Sequence, residues 1–198
     1  MNDGNSLNYF VLDRSFALNP ARIVETYPNH EGVFWFAGAR FATNTIPEPV
    51  EVTLEPFNAS YQAQEIAEYI PGTVPLFRLD LIEALREAGV DNLDLYDAVI
   101  IDPDNGARHT THKAANIIGV IAAADLGRSV ATVNPGGAVI DVSFDSVALN
   151  EAATGGARLF RLAESPTTIL LHRSVREHLD SKGFTKLWYL DPEDVAIL

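Results

Sequence analysis

The sequence contains no cysteine. Disulfides, thiolate metal sites and a cysteine nucleophile are therefore excluded. Bases are scarce as well: 14 Lys and Arg stand against 27 Asp and Glu, a net charge of −13 at pH 7. A chain of this sign is repelled by phosphate backbones and anionic lipid, so neither nucleic acid nor a membrane is an expected partner. Long apolar runs are missing too. The longest, Ile117 to Ala124, falls well short of the roughly 20 residues that span a bilayer. Met1 to Asn8 is polar and lacks a basic start followed by an apolar stretch, so no secretory signal is read and a cytoplasmic location is expected. There is no P-loop, no Gly-x-Gly-x-x-Gly after a strand, no Gly-x-Ser-x-Gly elbow and no His-Glu-x-x-His. Those gaps remove the commonest nucleotide, hydrolase and zinc-protease signatures, and no cofactor is expected.

What is present is core-forming material. With 198 residues and 47% hydrophobic side chains, the chain can bury the interior of a single domain, 1–198. Its first part, 1–75, reads as strand-rich. Strands are expected at 8–13, at the apolar run 32–37, and at 50–54, the last as an edge strand among prolines. Asp80 to Ala88 is the clearest helix, with Asp80 as N-cap, Glu83 at the capping-box position and Gly89 as left-handed terminator. A strand follows over 93–101, and Asp102-Pro-Asp-Asn-Gly106 is turn chemistry. The run 116–125 fits a central strand or a short helix, its β-branched first half favouring the strand, and Asn134-Pro-Gly-Gly137 reads as a turn. Alternation over 138–147 puts Val139, Val142, Phe144 and Val147 inward. A Gly- and Ala-rich loop at 151–157 precedes strands at 158–162 and 167–171, a helix at 174–182 ended by Gly183, and a last strand at 184–190. Trp35 and Trp188 read as core. The expected class is α+β: a mixed, mainly antiparallel sheet with a few helices.

One pattern recurs. Leu81, Leu85, Gly89 and Leu93 have the same spacing as Val175, Leu179, Gly183 and Leu187, and each set leads into an aromatic-containing strand. This points to a duplicated helix–Gly–strand unit. Leu-Phe-Arg-Leu also occurs twice, at 76–79 and 159–162, but at a different offset from the glycine, which reads as coincidence.

The charge is concentrated. Residues 1–47 and 105–198 each carry a net −1, whereas 48–104 hold thirteen acids and only Arg78 and Arg86, net −11. If this stretch forms one surface, it suits a basic partner. The expected partner-binding residues are Glu83, Glu87, Asp91, Asp94 and Asp97, around the first helix and the strand after it. Glu83 and Glu87, spaced i, i+4, share a helix face at a small cost in helix stability. The one metal candidate is His109-Thr-Thr-His112 with Asp102 and Asp104 upstream, but a third ligand with a strong spacing is lacking. Asp102 to Lys113 is a poor calcium loop: its glycine comes one place early, and Lys113 stands at the twelfth position where a bidentate acid is needed. His172 and His178, flanking the second helix, read as packed or solvated.

The order of short motifs in the last two-thirds resembles a known family. Glu87-Ala-Gly-Val90 ends a helix, a strand passes through Tyr96, and Asn116-Ile-Ile-Gly119 and Ala124-Asp125 follow, with Ser129 after them. Then come Leu159-Phe-Arg-Leu-Ala-Glu164, Thr168-Ile-Leu-Leu171 and Lys182-Gly-Phe184, while Tyr9-Phe-Val-Leu-Asp13 is similar to the family's usual start. The chain resembles family eleven of the bacterial polymorphic-toxin immunity proteins over roughly 8–191, best over 76–198. The resemblance implies a non-enzymatic cytoplasmic protein that binds and neutralises a cognate toxin. No catalytic residues carry over. The stretch 14–75 matches poorly and is where a partner-specific surface is expected. Two other classes stay open: a small metal-dependent hydrolase using His109 and His112, and a regulatory binding subunit without a toxin.

Overall fold

The computed structural model describes residues 8–13, 21–133 and 142–194. In chain order the strands are β1 (Tyr9–Asp13), β2 (Val24–Thr26), β3 (Val50–Leu54), β4 (Tyr69–Ile70) and β5 (Leu76–Arg78). Helix α1 (Leu79–Glu87) follows, then β6 (Leu93–Ile101), β7 (Arg108–His109), β8 (His112–Ile117), β9 (Val120–Ile121), β10 (Val130–Val133) and β11 (Val142–Ser146). The chain closes with β12 (Leu159–Leu162), β13 (Ser165–His172), α2 (Arg173–Ser181) and β14 (Trp188–Leu190). The larger sheet runs β2-β3-β6-β8-β5-β4 with β7 beside β6, the smaller runs β14-β1-β13-β12-β9, and β10 pairs with β11. Most pairings are antiparallel; β3–β6 and β9–β12 are parallel. The α+β class expected from the sequence is the class observed.

Side-chain alternation divides the interior into three. One face of each sheet joins both helices in a single core: Phe77, Ala115 and Ile117 from the larger sheet, Leu12, Ile169 and Leu171 from the smaller, with Leu81, Leu85, Val175 and Leu179 from the helices. The outer face of the larger sheet (Val50, Val52, Leu76, Ile100) is covered by Trp35 and Ile46. The outer face of the smaller one (Val11, Phe160, Leu170) is covered by Val142 and Phe144 of the β10–β11 ribbon and by Val147. In α1, Leu81, Ile82, Ala84 and Leu85 are buried, and each Leu or Ile contributes roughly 1.5–3 kcal/mol by leaving water.

The repeated spacing corresponds to a repeated structure. In one unit β5 and β6 are joined by α1 and flank the antiparallel β8; in the other β13 and β14 are joined by α2 and flank the antiparallel β1. A hairpin partner precedes each, β4 before β5 and β12 before β13. The order β6-β8-β5-β4 thus matches β14-β1-β13-β12, with the inserted strand last in one unit and first in the other. Leu76 and Leu159 begin the two Leu-Phe-Arg-Leu runs on β5 and β12, strands that do not correspond, so that second echo is coincidence.

Both helices end in the same Schellman geometry. Gly89 N donates to Arg86 O at 2.8 Å and Val90 N to Leu85 O at 2.9 Å; Gly183 N donates to Asp180 O at 3.0 Å and Phe184 N to Leu179 O at 3.1 Å. Each glycine takes a positive φ, +85° and +89°. Their surroundings differ. A Cβ on Gly183 meets nothing, whereas one on Gly89 comes within 2.9 Å of Arg158 Nε, whose guanidinium donates to Ala88 O. Gly183→Ala is expected to cost about 1 kcal/mol from the left-handed backbone. Gly89→Ala is expected to cost about twice that, through the added loss of the Arg158 bond. Parallel urea melts of the two variants check the difference.

Several sequence expectations are corrected. Residues 32–37 are not a strand: Val33 N bonds His30 O and Ala37 N bonds Phe34 O, successive turns that bury Trp35 and leave Phe34 71% exposed. Gly32 and Gly38 at positive φ permit those turns. β3 is not an edge strand, because the short β2 covers its outer side. The N-cap of α1 is Arg78 and no side chain caps it; Asp80 lies inside the first turn. There it accepts Arg78 Nε and Nη2 at 2.7 and 2.8 Å. The run 116–125 is broken at Gly119, φ +111°, into the ends of β8 and β9. Residues 151–154 form a 3-10 turn rather than loop, and the last strand covers only 188–190, with Trp188 half-buried. The turn at 134–137 and the stretch 138–141, with Val139, lie outside the described residues.

Candidate partner-binding surface

The five acids do not share one face. Glu83 and Glu87 lie on the exposed side of α1. Asp91 follows the helix cap and is exposed. Asp94 and Asp97 belong to β6, where Leu93 and Leu95 join the helix-side core and Tyr96 joins the outer one. Strand alternation therefore sends Asp97 to the side of α1 and Asp94 to the opposite side, beside the 32–46 segment.

Three of the five are answered by bases from distant parts of the chain. Lys182 Nζ lies 2.6 Å and His178 Nε2 3.2 Å from the Glu87 carboxylate. The Lys182 bond foremost, and then His178, holds that carboxyl below its usual value. Arg40 pairs with Asp94 and Lys113 with Asp97. Among the described residues only Glu83 and Asp91 of the five make no ion pair. Other acids of the stretch are treated alike: Arg108 meets Glu51, Lys186 meets Glu65, and Arg78 meets Asp80 and Glu68.

The two histidines stand on separate strands. His109 sits on β7 opposite Ile100, and His112 on β8 opposite Arg78. His112 is 1% exposed. Its Nε2 lies 2.8 Å from Ala67 O and its Nδ1 3.0 Å from the Thr111 hydroxyl. The carbonyl can only accept, so Nε2 carries the proton and Nδ1 accepts from Thr111. Among the described residues no three His, Asp or Glu side chains are grouped as metal ligands.

Burial lowers the His112 pKa, outweighing the Ala67 bond that supports the charged form. A histidine depressed in the folded state contributes stability that is complete above its unfolded pKa, about 6.5, and is lost as pH falls towards the folded value. Stability is expected to decline from pH 7.5 to 5.5, by at most about 1.4 kcal/mol per pH unit from this group. His112→Gln keeps a donor for Ala67 O without a titrating ring and is expected to flatten that slope in denaturant melts.

The calcium-like turn is filled from within. Arg22, 2% exposed, donates to both Asp102 oxygens at 3.1 and 3.2 Å, to Asp104 Oδ2 at 3.0 Å and to Glu55 O at 2.8 Å. Burial raises the Asp102 carboxyl, but Arg22, the Asp104 amide and the Asn105 side chain outweigh it and hold it below the usual range. This is a structural ion pair closing the β6–β7 hairpin.

The feature the residue-by-residue reading missed lies in the poorly matching stretch. Residues 32–45 enclose an open groove of about 340 Å³ lined by Phe34, Ala37, Ala39, Arg40, Phe41 and Thr45, among others. Trp35 packs edge-on against Phe41 and Tyr96 at 5.1 and 5.7 Å and forms the layer beneath. The loop is held to the sheet by Gly119 N to Gly38 O and Asn116 Nδ2 to Ala39 O, both 2.8 Å. A side chain at position 38 would meet Val120 Cγ2 at 2.3 Å, so only glycine permits that approach. Phe34 in a short Gly-bounded run is the sequence signal, and the same apolar pattern fits a buried strand. Among the described residues no helix is long and apolar enough to cross a membrane. No protein-family model matches the chain, and no curated protein matches it in sequence.

Proposed function

We propose that this chain is a binding protein that captures and neutralises a basic cognate toxin, as the immunity family it resembles implies. The observation that carries the reading is the open apolar groove of residues 32–45 beside the acidic strand β6. Exposed contiguous apolar surface with a polar rim is characteristic of a protein-binding site, and the net charge of −13 favours encounter with a positively charged partner. The bases that cover Glu87, Asp94 and Asp97 are themselves surface side chains. They moderate the local charge without burying it. Glu83 and Asp91, exposed on and just after α1, remain available to a partner.

The test is capture followed by neutralisation. The tagged chain is recovered from its own bacterium at low and high salt, and the captured protein is identified and expressed alone. The expected result is a basic protein, lost at high salt, that arrests growth alone and is tolerated when this chain is co-expressed. A captured protein that is harmless alone overturns the immunity reading. An acidic partner, or capture indifferent to salt, overturns the electrostatic part.

A further inference from the structure

Resting on that reading, we propose that the groove receives an apolar side chain of a basic partner segment while a neighbouring partner arginine takes Asp94 from Arg40. Asp94 is anchored on a strand and its side chain is 21% exposed, whereas Arg40, on the groove-forming loop, is 68% exposed. The acid is fixed and the base is replaceable. An exposed pair of this kind is worth little in water, so exchanging one guanidinium for another costs almost nothing.

The groove supplies the rest of the contact. Phe34 offers an exposed side chain and Phe41 a half-buried one at its wall, with alanines between them leaving depth for a side chain. The field at this edge is negative. Burial, then Asp94 and Glu48, raise the Tyr96 hydroxyl, and Arg40 only partly offsets them. A cation released from water beside Tyr96 and Phe41 also gains from the faces of the rings. The Gly38 and Asn116 bonds hold the loop in place, so little ordering is lost on docking. The occupant is thus a short segment with an aromatic or aliphatic residue next to arginine.

The probe is the peptide acetyl-Arg-Phe-Arg-amide, titrated into the ¹⁵N-labelled full chain up to ~10 mM. Saturable shifts of the 34–41 amides and of the Arg40 Nε–H resonance are expected, with none from acetyl-Glu-Phe-Glu-amide. Phe34→Ser, at an exposed position, is expected to weaken binding about tenfold or more. Asp94→Asn is expected to weaken it by roughly the same factor. Arg40→Ala, which removes the internal competitor, is expected to tighten it several-fold. No shift with the arginine peptide, or weaker binding by Arg40→Ala, overturns the proposal. So does self-association of the chain that Phe34→Ser abolishes, which assigns the groove to a second copy. A toxin captured as above whose affinity ignores Phe34→Ser and Arg40→Ala sinks the groove and leaves the immunity reading standing. Peptide binding without any toxin does the reverse.

Discussion

Replacing Arg22 by leucine is expected to remove about 3–5 kcal/mol of stability at neutral pH. In a chain of this size that lowers the melting temperature by about 10 °C. The loss does not come from the attraction forgone. It comes from Asp102, only 6% exposed, which keeps its burial and its charge but loses the guanidinium that answers it. Removing one partner of a buried pair leaves the other desolvated and uncompensated, whereas removing both can be nearly neutral. The double variant Arg22→Met with Asp102→Leu should therefore regain most of the loss. The sign with pH follows from the lowered Asp102 carboxyl. Its stabilising contribution is present above the unfolded value, about 3.9, and is lost as pH falls through the lower folded value. In the leucine variant the lone buried carboxyl gains from protonation, so the gap between variant and parent narrows towards pH 4. Urea melts at pH 7 and 4 measure both effects. A variant as stable as the parent at pH 7 would show that the hairpin is held without the pair.

The same pair shows why part of the molecule was legible in the sequence and part was not. The glycine terminators, set within a few residues, are legible in the sequence, whereas the N-cap of α1, equally local, is not. Gly89 and Gly183 end their helices because a left-handed terminator is a local requirement, and the matching spacing around them revealed the duplicated unit. Features defined by distant partners are not legible there. β4 is two residues long and is a strand only because Tyr69 faces Phe77 and Ile70 faces Leu76. Arg22 carries no mark of its own that pairs it with Asp102. The acidic stretch misled for a related reason. Summed along the chain, 48–104 is strongly negative, but Arg22, Arg40, Arg108, Lys113, Lys182 and Lys186 reach in from outside it. Charge along a sequence is a surface property only after the fold has placed the bases. The apolar run at 32–37 misled in the opposite direction: hydrophobic residues in a Gly-bounded run fit a buried strand or an exposed binding loop equally well, and only the turns decide.

Arg161→Met is expected to act in the opposite sense to the Arg22 change and to stabilise the chain by about 1–4 kcal/mol. Arg161 lies on β12, fully buried, with Nη1 donating to Pro166 O at 2.8 Å and its guanidinium 5.2 Å from the Phe36 ring. Nε and Nη2 are buried without a hydrogen-bond partner. Burial is severe enough to depress even this guanidinium from its ordinary value, the nearby Tyr69 offsetting only part. Arg22 has two carboxylates and a carbonyl; Arg161, among the described residues, has no carboxylate in ion-pair range. Methionine is unbranched and flexible, fills the space of the arginine stem though it stops short of the guanidinium, and leaves no charge to desolvate. The carbonyl it releases is the main opposing term, at about 1 kcal/mol. Denaturant melts should show a higher midpoint with an unchanged slope. A lower midpoint would mean that the stacking on Phe36 and the Pro166 bond outweigh the desolvation. Because Phe36 belongs to the loop that forms the groove, the two readings also differ in what they imply for binding. A chain stabilised by methionine but impaired in peptide binding would show that the buried charge is retained for the position of that loop rather than for the fold.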